Sequence, residues 1–515
     1  MVSRAISPCN GASCSSAVSS STTHLTLQKA APSRLRCRQR QCLLSSAAVF
    51  PGANLVVASR RRPFLIRANL NWSSDAQTEG QLQDLTSWLK QQGLPDQVVE
   101  LKQSGTGGIG CFSTRPLQAG ECAIKIPENF TVTCADVANH PVISQLATGR
   151  PDIIGLALWL MYEKSLGEKS VWYPYVKTFP STTLSPITWS KSEQETLLKG
   201  TSVAEEVNQR CLFLEDEFSE IMETSQSKLM DLPQSYFTVD AFKNAFAVIL
   251  SRAIYLPSAE LYALVPIADA VNVTGKCEAS FEYSSEYQAV VLRVDKGYTL
   301  GQQVFASYGQ NRPNSDLLIS YGFVDENNNS DFIEVEVELV NGDPLRTLKS
   351  QILQMANFQD GQSFPLYLDR FPTQLLSYMR LARLQDAVEF AKIVFDRDII
   401  VSEANEYEVL TLLLTDCRNR LSSFEESLDD NIRLLNRKDI SEKERVAAKL
   451  RVCEQRILSN TMSALRNRLA PIRGVPTKGG AMKDRHSDIK EMFGVMEDVA
   501  SAPRKFMSNF MKGKE

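Results

Sequence analysis

Acidic residues are missing from the start of this 515-residue chain. No Asp or Glu occurs between Met1 and Trp72, a stretch holding nine Arg, one Lys and a dozen Ser. With a whole-chain charge of -4, removing those ten positive charges leaves about -14 for the remainder. A basic, Ser-rich, acid-free opening without an apolar core behind its first basic residues is unlike a secretory signal. It predicts an organelle transit segment, plastid by its Ser content, over residues 1–68. The acidic body disfavours nucleic acid as a partner.

Histidine is scarce too. Of three, only His140 and His486 lie beyond that opening, which argues against imidazole metal centres and most Ser/His or Cys/His nucleophile schemes. His140, before Pro141, reads as a loop or cap residue. Four of the 11 cysteines (Cys9, Cys14, Cys37, Cys42) fall in the opening. The other seven form no CxxC pair and are odd in number, so neither a disulfide framework nor a zinc cluster is expected. No uncharged apolar run approaches the roughly 20 residues of a membrane helix. A chain this long nevertheless requires several cores.

What is present falls into blocks. Residues 81–92 carry apolar spacing of three and four and end at Gly93, predicting a short helix. A glycine-dense stretch, Gly105 to Gly110, precedes two short strands around the turn Gln118-Ala119-Gly120. From about 152 to 246 the pattern is helical. Residues 261–340 return to strands, ending where Ile333, Val335, Val337 and Leu339 alternate with Glu334, Glu336 and Glu338. Beyond about 345 the chain reads as helical. One apolar stripe runs through Leu410, Leu414, Cys417, Leu421, Phe424, Leu428, Ile432 and Leu435, and Ser441 with Glu444 forms a capping box for the next helix. From Pro471 a basic, Met- and Phe-bearing tail (471–515) reads as an extension or docking helix.

Four short motifs bear chemistry. Gly107-Gly108-Ile109-Gly110 would let backbone approach a ligand without a Cβ clash, yet fits neither a phosphate loop nor a full dinucleotide fingerprint. Ser251-Arg252-Ala253 ends a helical pattern. Val265-Pro266-Ile267-Ala268-Asp269-Ala270-Val271-Asn272-Val273 is apolar around an Asp and an Asn. Phe305-Ala306-Ser307-Tyr308-Gly309 is followed by Tyr321-Gly322-Phe323. Singly, each is as easily structural: an ion-pair arginine, backbone caps, core tyrosines.

Their order resembles the SET-domain protein methyltransferases, specifically the plastid Rubisco large-subunit lysine methyltransferase type. The likeness covers roughly residues 80–465 and includes GLALWLMYEK, SVWYPYVKTFP and LVPIADAVN. It implies an α+β fold: a β-rich SET domain over 80–325, split by a helical insert at about 150–250, then an all-α substrate-binding domain over 330–470. It implies S-adenosyl-L-methionine as cofactor, no metal, and a protein lysine in the stroma as target, with the Rubisco large subunit or a sugar-bisphosphate aldolase as partner by analogy. Gly107, Gly108, Ile109 and Gly110 resemble the family's first cofactor loop. Arg252 matches an arginine near the cofactor carboxylate or target pocket, where a guanidinium fork suits a carboxylate. Asn272 and Val273 align with a cofactor-lining Asn-His pair and Asp269 with a pocket acid. Tyr308 matches the catalytic tyrosine and Tyr321 the aromatic wall of the lysine channel.

Three departures stand out. Val273 replaces the family's usual histidine, which predicts weakened cofactor binding through loss of the imidazole. Phe281 stands where a substrate-side tyrosine is common, and Leu256 near a position that is basic in some members. These changes leave open a catalytically silent assembly subunit, or methylation of histidine in place of lysine.

Overall fold

The computed structural model describes residues 75–104, 108–224, 233–309 and 311–472. The expected transit segment, Gly107 and all but the first two residues of the expected tail lie outside them.

The described residues open with helix α1, Asp75–Gln91, longer than the predicted stretch. Strands β1 (Val99–Gln103), β2 (Ile109–Ser113), β3 (Cys122–Pro127) and β4 (Val132–Thr133) follow. The helical insert then contributes α2 (Asp152–Leu166), α3 (Val203–Thr224) and α4 (Val239–Arg252). Helix α2 is apolar nearly all round, and ten of its residues are buried, as suits a central helix with no solvent face. Thr238 starts α4 by accepting the Ala241 N–H at 3.1 Å, a side-chain cap on an orphan donor.

Chain topology re-enters the sheets after the insert. Strands β5 (Ile254–Leu256), β6 (Leu261–Leu264), β7 (Asn272–Val273), β8 (Phe281–Ser284), β9 (Ala289–Arg293) and β10 (Gln303–Ala306) follow, and β10, β9 and β6 pair with β2, β3 and β4. The resulting small sheets have the orders β1-β2-β10-β7, β3-β9-β8 and β4-β6-β5. Strand β10 is therefore flanked by β2, antiparallel, and β7, parallel. Residues more than 150 positions apart in sequence meet at this point.

Two expectations need correction here. The strand-rich block also contains a helix, α5 (Asn314–Tyr321), with Tyr321 as its last residue and Gly322 (φ +76°) closing it in the left-handed conformation. Its first turn is fixed by buried Asn314, whose backbone N–H and side-chain amide both donate to the Asp331 carboxylate. The segment around Asp269 is a single 3-10 turn, Ala268–Ala270, and only Asn272–Val273 is strand.

The C-terminal region is helical, as expected, but not purely so. Strand β11 (Phe332–Val337) pairs antiparallel with β12 (Gln362–Tyr367), on either side of helix α6 (Arg346–Met355). Pro365 in β12 hides that strand from a propensity reading. It is tolerated because a two-stranded sheet has only edges. Helices α7 (Thr373–Arg383), α8 (Glu403–Ser423), α9 (Leu428–Leu435) and α10 (Glu442–Ile472) complete the region. Ile333, Val335, Leu366, Leu410, Leu414, Cys417 and Leu465 share one core. The apolar stripe of residues 410–435 is split between two helices: Phe424 is extended and Ser427 caps α9 through the Asp430 N–H. The capping box at Ser441 and Glu444 forms as predicted.

Helix α10 also anchors the insert. The buried Glu454 carboxylate accepts from Ser202 N–H and hydroxyl at the start of α3, and Arg451 donates to Leu197 O at 2.7 Å.

Candidate active site

The meeting of β2, β10 and β7 gathers most of the residues singled out by sequence. Gly108 (φ +85°) turns the chain into β2, a conformation that favours glycine. Gly110 follows within β2. A Cβ there would lie 2.3 Å from Gln303 Nε2 and 3.1 Å from Asn272 Nδ2, so both amides pack directly on its bare Cα. Asn272 Nδ2 donates to Ile109 O at 3.1 Å, tying β7 to β2. Gln303 Nε2 is buried and has no acceptor among the described residues.

Tyr308 follows the end of β10. Its ring is 7% exposed and packs with Leu317, Phe323, Val273 and Tyr321. Its hydroxyl lies over Gly275, where a Cβ would come within 2.5 Å of it. No hydrogen bond to that hydroxyl is formed by any described residue. Burial, reinforced by the Asp325 and Asp331 carboxylates, pushes its pKa up to about 12. The hydroxyl thus stays neutral at working pH, free to donate or accept.

Tyr321 is half-buried. Arg312 Nη1 donates to its hydroxyl at 3.1 Å and Arg312 Nε approaches Asp316 at 3.3 Å. The guanidinium therefore fixes the Tyr321 hydroxyl as an acceptor, leaving its proton to point elsewhere.

Arg252 ends α4, and its Nη1 lies 3.2 Å from Asp269 Oδ2, both side chains being almost fully buried. Tyr175 Oη donates to the same oxygen at 2.9 Å, and the Phe179 ring lies beneath the guanidinium at 5.4 Å. Burial raises the Asp269 carboxyl above its usual range while Arg252 and Tyr175 oppose that rise. Asp269 is thus engaged with two neighbours from the insert.

Phe281 is not brought to this group. It sits on β8 opposite Leu292 in a different sheet and is absent from the packing around Tyr308. Leu256 is buried in β5 opposite Leu261. Sequence reasoning missed Gly275, Gln303, Arg312 and Tyr175. Only Arg312 left a usable trace, its i,i+4 spacing to Asp316. The others matter through contacts with distant residues.

Among the described residues no group of three or more potential metal ligands forms, and no helix is long and apolar enough to cross a membrane.

Residues 340–458 match the family model described as Rubisco LSMT substrate-binding. Over 414 residues the chain is 24% identical to the chloroplastic [fructose-bisphosphate aldolase]-lysine N-methyltransferase of Arabidopsis thaliana, covering 77% of this chain and 85% of that one. It is 25% identical over 406 residues to the actin-histidine N-methyltransferase of Danio rerio, covering 74% of this chain and 67% of that one. The solved structure of Rubisco LSMT bound to AdoMet superposes with a TM-score of 0.64 at 20% identity, over 80% of this chain and 99% of that one. Residues 340–458 thus carry a Rubisco LSMT substrate-binding region, and over about three quarters of its length the chain is similar to these protein methyltransferases and shares the fold of the Rubisco LSMT structures.

Proposed function

We propose that the protein is an S-adenosylmethionine-dependent methyltransferase that methylates a lysine of a plastid protein. Tyr308 is its catalytic residue. Gly107, Gly108, Ile109, Gly110, Arg252, Asn272 and Val273 form the cofactor side. Asp269 holds Arg252, and Tyr321 walls the target channel. The single observation that carries this reading is Tyr308, whose side chain is buried among Val273, Tyr321 and Phe323 while its hydroxyl is hydrogen-bonded to no described residue. A hydroxyl held in place by a buried ring and engaged by no protein group is available to a ligand as donor or acceptor.

The surrounding groups fit the cofactor. Two glycines give close backbone approach, and Gln303 Nε2 is a buried donor with no acceptor, set against Gly110. When bound, S-adenosylmethionine supplies an electrophilic methyl group on a cationic sulfonium. The chain's own contribution is alignment and desolvation. An apolar, aromatic surround favours the neutral amine of a lysine, whose ordinary pKa of about 10.4 would otherwise keep it protonated. The Tyr308 hydroxyl then orients the lone pair for in-line attack. Val273 offers an aliphatic surface and its backbone, paired with Ala306.

The Rubisco large subunit and fructose-bisphosphate aldolase are the leading partners, from the names of the relatives. Residues 1–68 serve as the import segment to the stroma, and the tail from 471 as an accessory docking element. A second reading, a silent assembly subunit, is favoured by Val273 in place of histidine.

Calorimetric titration of residues 69–515 with S-adenosylmethionine, with Gly108→Trp as control, tests the proposal. Micromolar binding abolished in the control is the expected result. A folded protein that binds no cofactor removes the enzyme reading and leaves the assembly subunit. Mass mapping of labelled product then separates lysine from histidine as the acceptor, which the actin-histidine relatives make a necessary distinction.

A further inference from the structure

The helical insert carries two cavities lined by none of the residues packed around Tyr308, and one buried carboxylate lines both. Glu163, on α2, is 6% exposed. Its Oε2 accepts from the Ser170 hydroxyl at 2.5 Å, and that hydroxyl in turn accepts the Trp172 N–H at 2.9 Å. No other hydrogen bond and no ion pair to Glu163 forms among the described residues. Burial pushes the carboxyl upward and the Ser170 bond only partly offsets it. A buried carboxylate with one donor and no counter-cation is a standing cost to the fold.

The cavity of about 340 Å³ on one side of Glu163 has aromatic walls. Trp159, Tyr162 and Trp172 line it. The two indoles meet edge-on, centroids 5.9 Å apart at 80°, and His140 steadies Tyr162 by an edge contact at 4.8 Å. Asp136 adds a second acid. Aromatic faces beside a carboxylate attract organic cations through the ring quadrupole and direct charge. The exposed Lys169 also lines this space but forms no ion pair with Glu163. The other cavity is lined by Lys164 and Lys177 and so disfavours a cation.

We propose that the aromatic cavity is a second binding site, separate from Tyr308, for an alkylammonium group: the side chain of a lysine or methylated lysine on a protein, or a free polyamine. The proposal rests on the insert and the neighbouring residues Val132, Asp136 and His140, and is independent of methyl transfer.

Titration calorimetry of the protein with butylammonium, N,N,N-trimethylbutylammonium and the neutral isostere 3,3-dimethylbutan-1-ol tests it. Saturable binding of the cations, at least tenfold tighter than the alcohol, is expected. Glu163→Gln keeps an oxygen for Ser170 and should weaken cation binding at least tenfold, as should Trp172→Leu. Comparing putrescine with a short trimethyl-lysine peptide then distinguishes a polyamine from a protein side chain. Equal binding of the alcohol, absence of saturation, or unchanged affinity in a folded Glu163→Gln protein would each overturn the assignment. Should that variant fail to fold, a folded Trp172→Leu protein decides the question: unchanged cation affinity there overturns the assignment.

Discussion

Arg252 and Asp269, seventeen residues apart, form a buried ion pair at 3.2 Å, with side chains 2% and 3% exposed. Tyr175 adds a hydrogen bond to the same carboxylate oxygen, so the end of α4, the turn before β7 and the insert are locked at one point. Removing one member of such a pair strands the other charge in a site that water cannot reach. Asp269→Ala should therefore destabilise the protein by about 3–5 kcal/mol. Tyr175→Phe, which deletes one bond to a charged acceptor, should cost about 1.5–3 kcal/mol. Chemical denaturation measures both. A loss below 1 kcal/mol for Asp269→Ala would show that the pair is not what holds this junction.

Tyr308 should behave in the opposite way. Its hydroxyl gives no hydrogen bond to the described protein, so Tyr308→Phe removes no internal contact and should change stability by less than about 1 kcal/mol. If the hydroxyl orients the attacking amine, labelled-methyl transfer should fall by about 100-fold or more. Activity retained in a stable Tyr308→Phe protein would remove this residue from the reaction.

Gly275 supplies a sharper probe, because its Cα lies where a methyl group would strike the Tyr308 hydroxyl at 2.5 Å. Gly275→Ala should push the ring aside, costing about 1–3 kcal/mol and abolishing transfer. Because the clash is with the hydroxyl itself, Tyr308→Phe in the same chain should recover part of that stability. A double-mutant cycle reads the coupling, expected at about 0.5–3 kcal/mol. Strict additivity would contradict the contact.

The sequence made some of this legible and hid the rest for identifiable reasons. The alternation of Ile333, Val335 and Val337 announced β11 because a half-buried strand must alternate. Its partner β12 stayed hidden, since Pro365 and short polar flanks argue against a strand until the pairing is seen. The apolar stripe from Leu410 to Leu435 carried the right residues but not the break at Phe424, which depends on Ser427 taking up the Asp430 N–H. At the site, the order of motifs brought Gly110, Asn272, Tyr308 and Tyr321 into view. Gly275 and Gln303 were invisible because their importance lies in what touches them across β2, β7 and β10. Phe281 was placed by the family likeness alone, and its strand belongs to another sheet.

The clamp between insert and C-terminal region predicts an unusual pH response. Glu454 is 4% exposed and accepts from Ser202 N–H at 3.0 Å. Burial, reinforced by Asp331, outweighs those bonds and raises its carboxyl from 4.5 to about 7. A carboxyl with a raised folded pKa binds more protons in the folded than in the unfolded state between those two values. Its contribution is therefore fully present below about pH 4.5 and is lost as pH rises through about 7, an effect worth roughly 3 kcal/mol. Asp331, raised to about 6 by the same cause, acts in the same direction. Glu454→Gln keeps an acceptor for Ser202 without the charge. It should flatten this slope and make the protein more stable than the parent at pH 8. Denaturation midpoints of the two proteins at pH 5 and pH 8 supply the test. A parent that gains stability on going from pH 5 to pH 8 while the variant does not would mean that Glu454 is held as a favoured carboxylate, reversing the sign assigned to burial here.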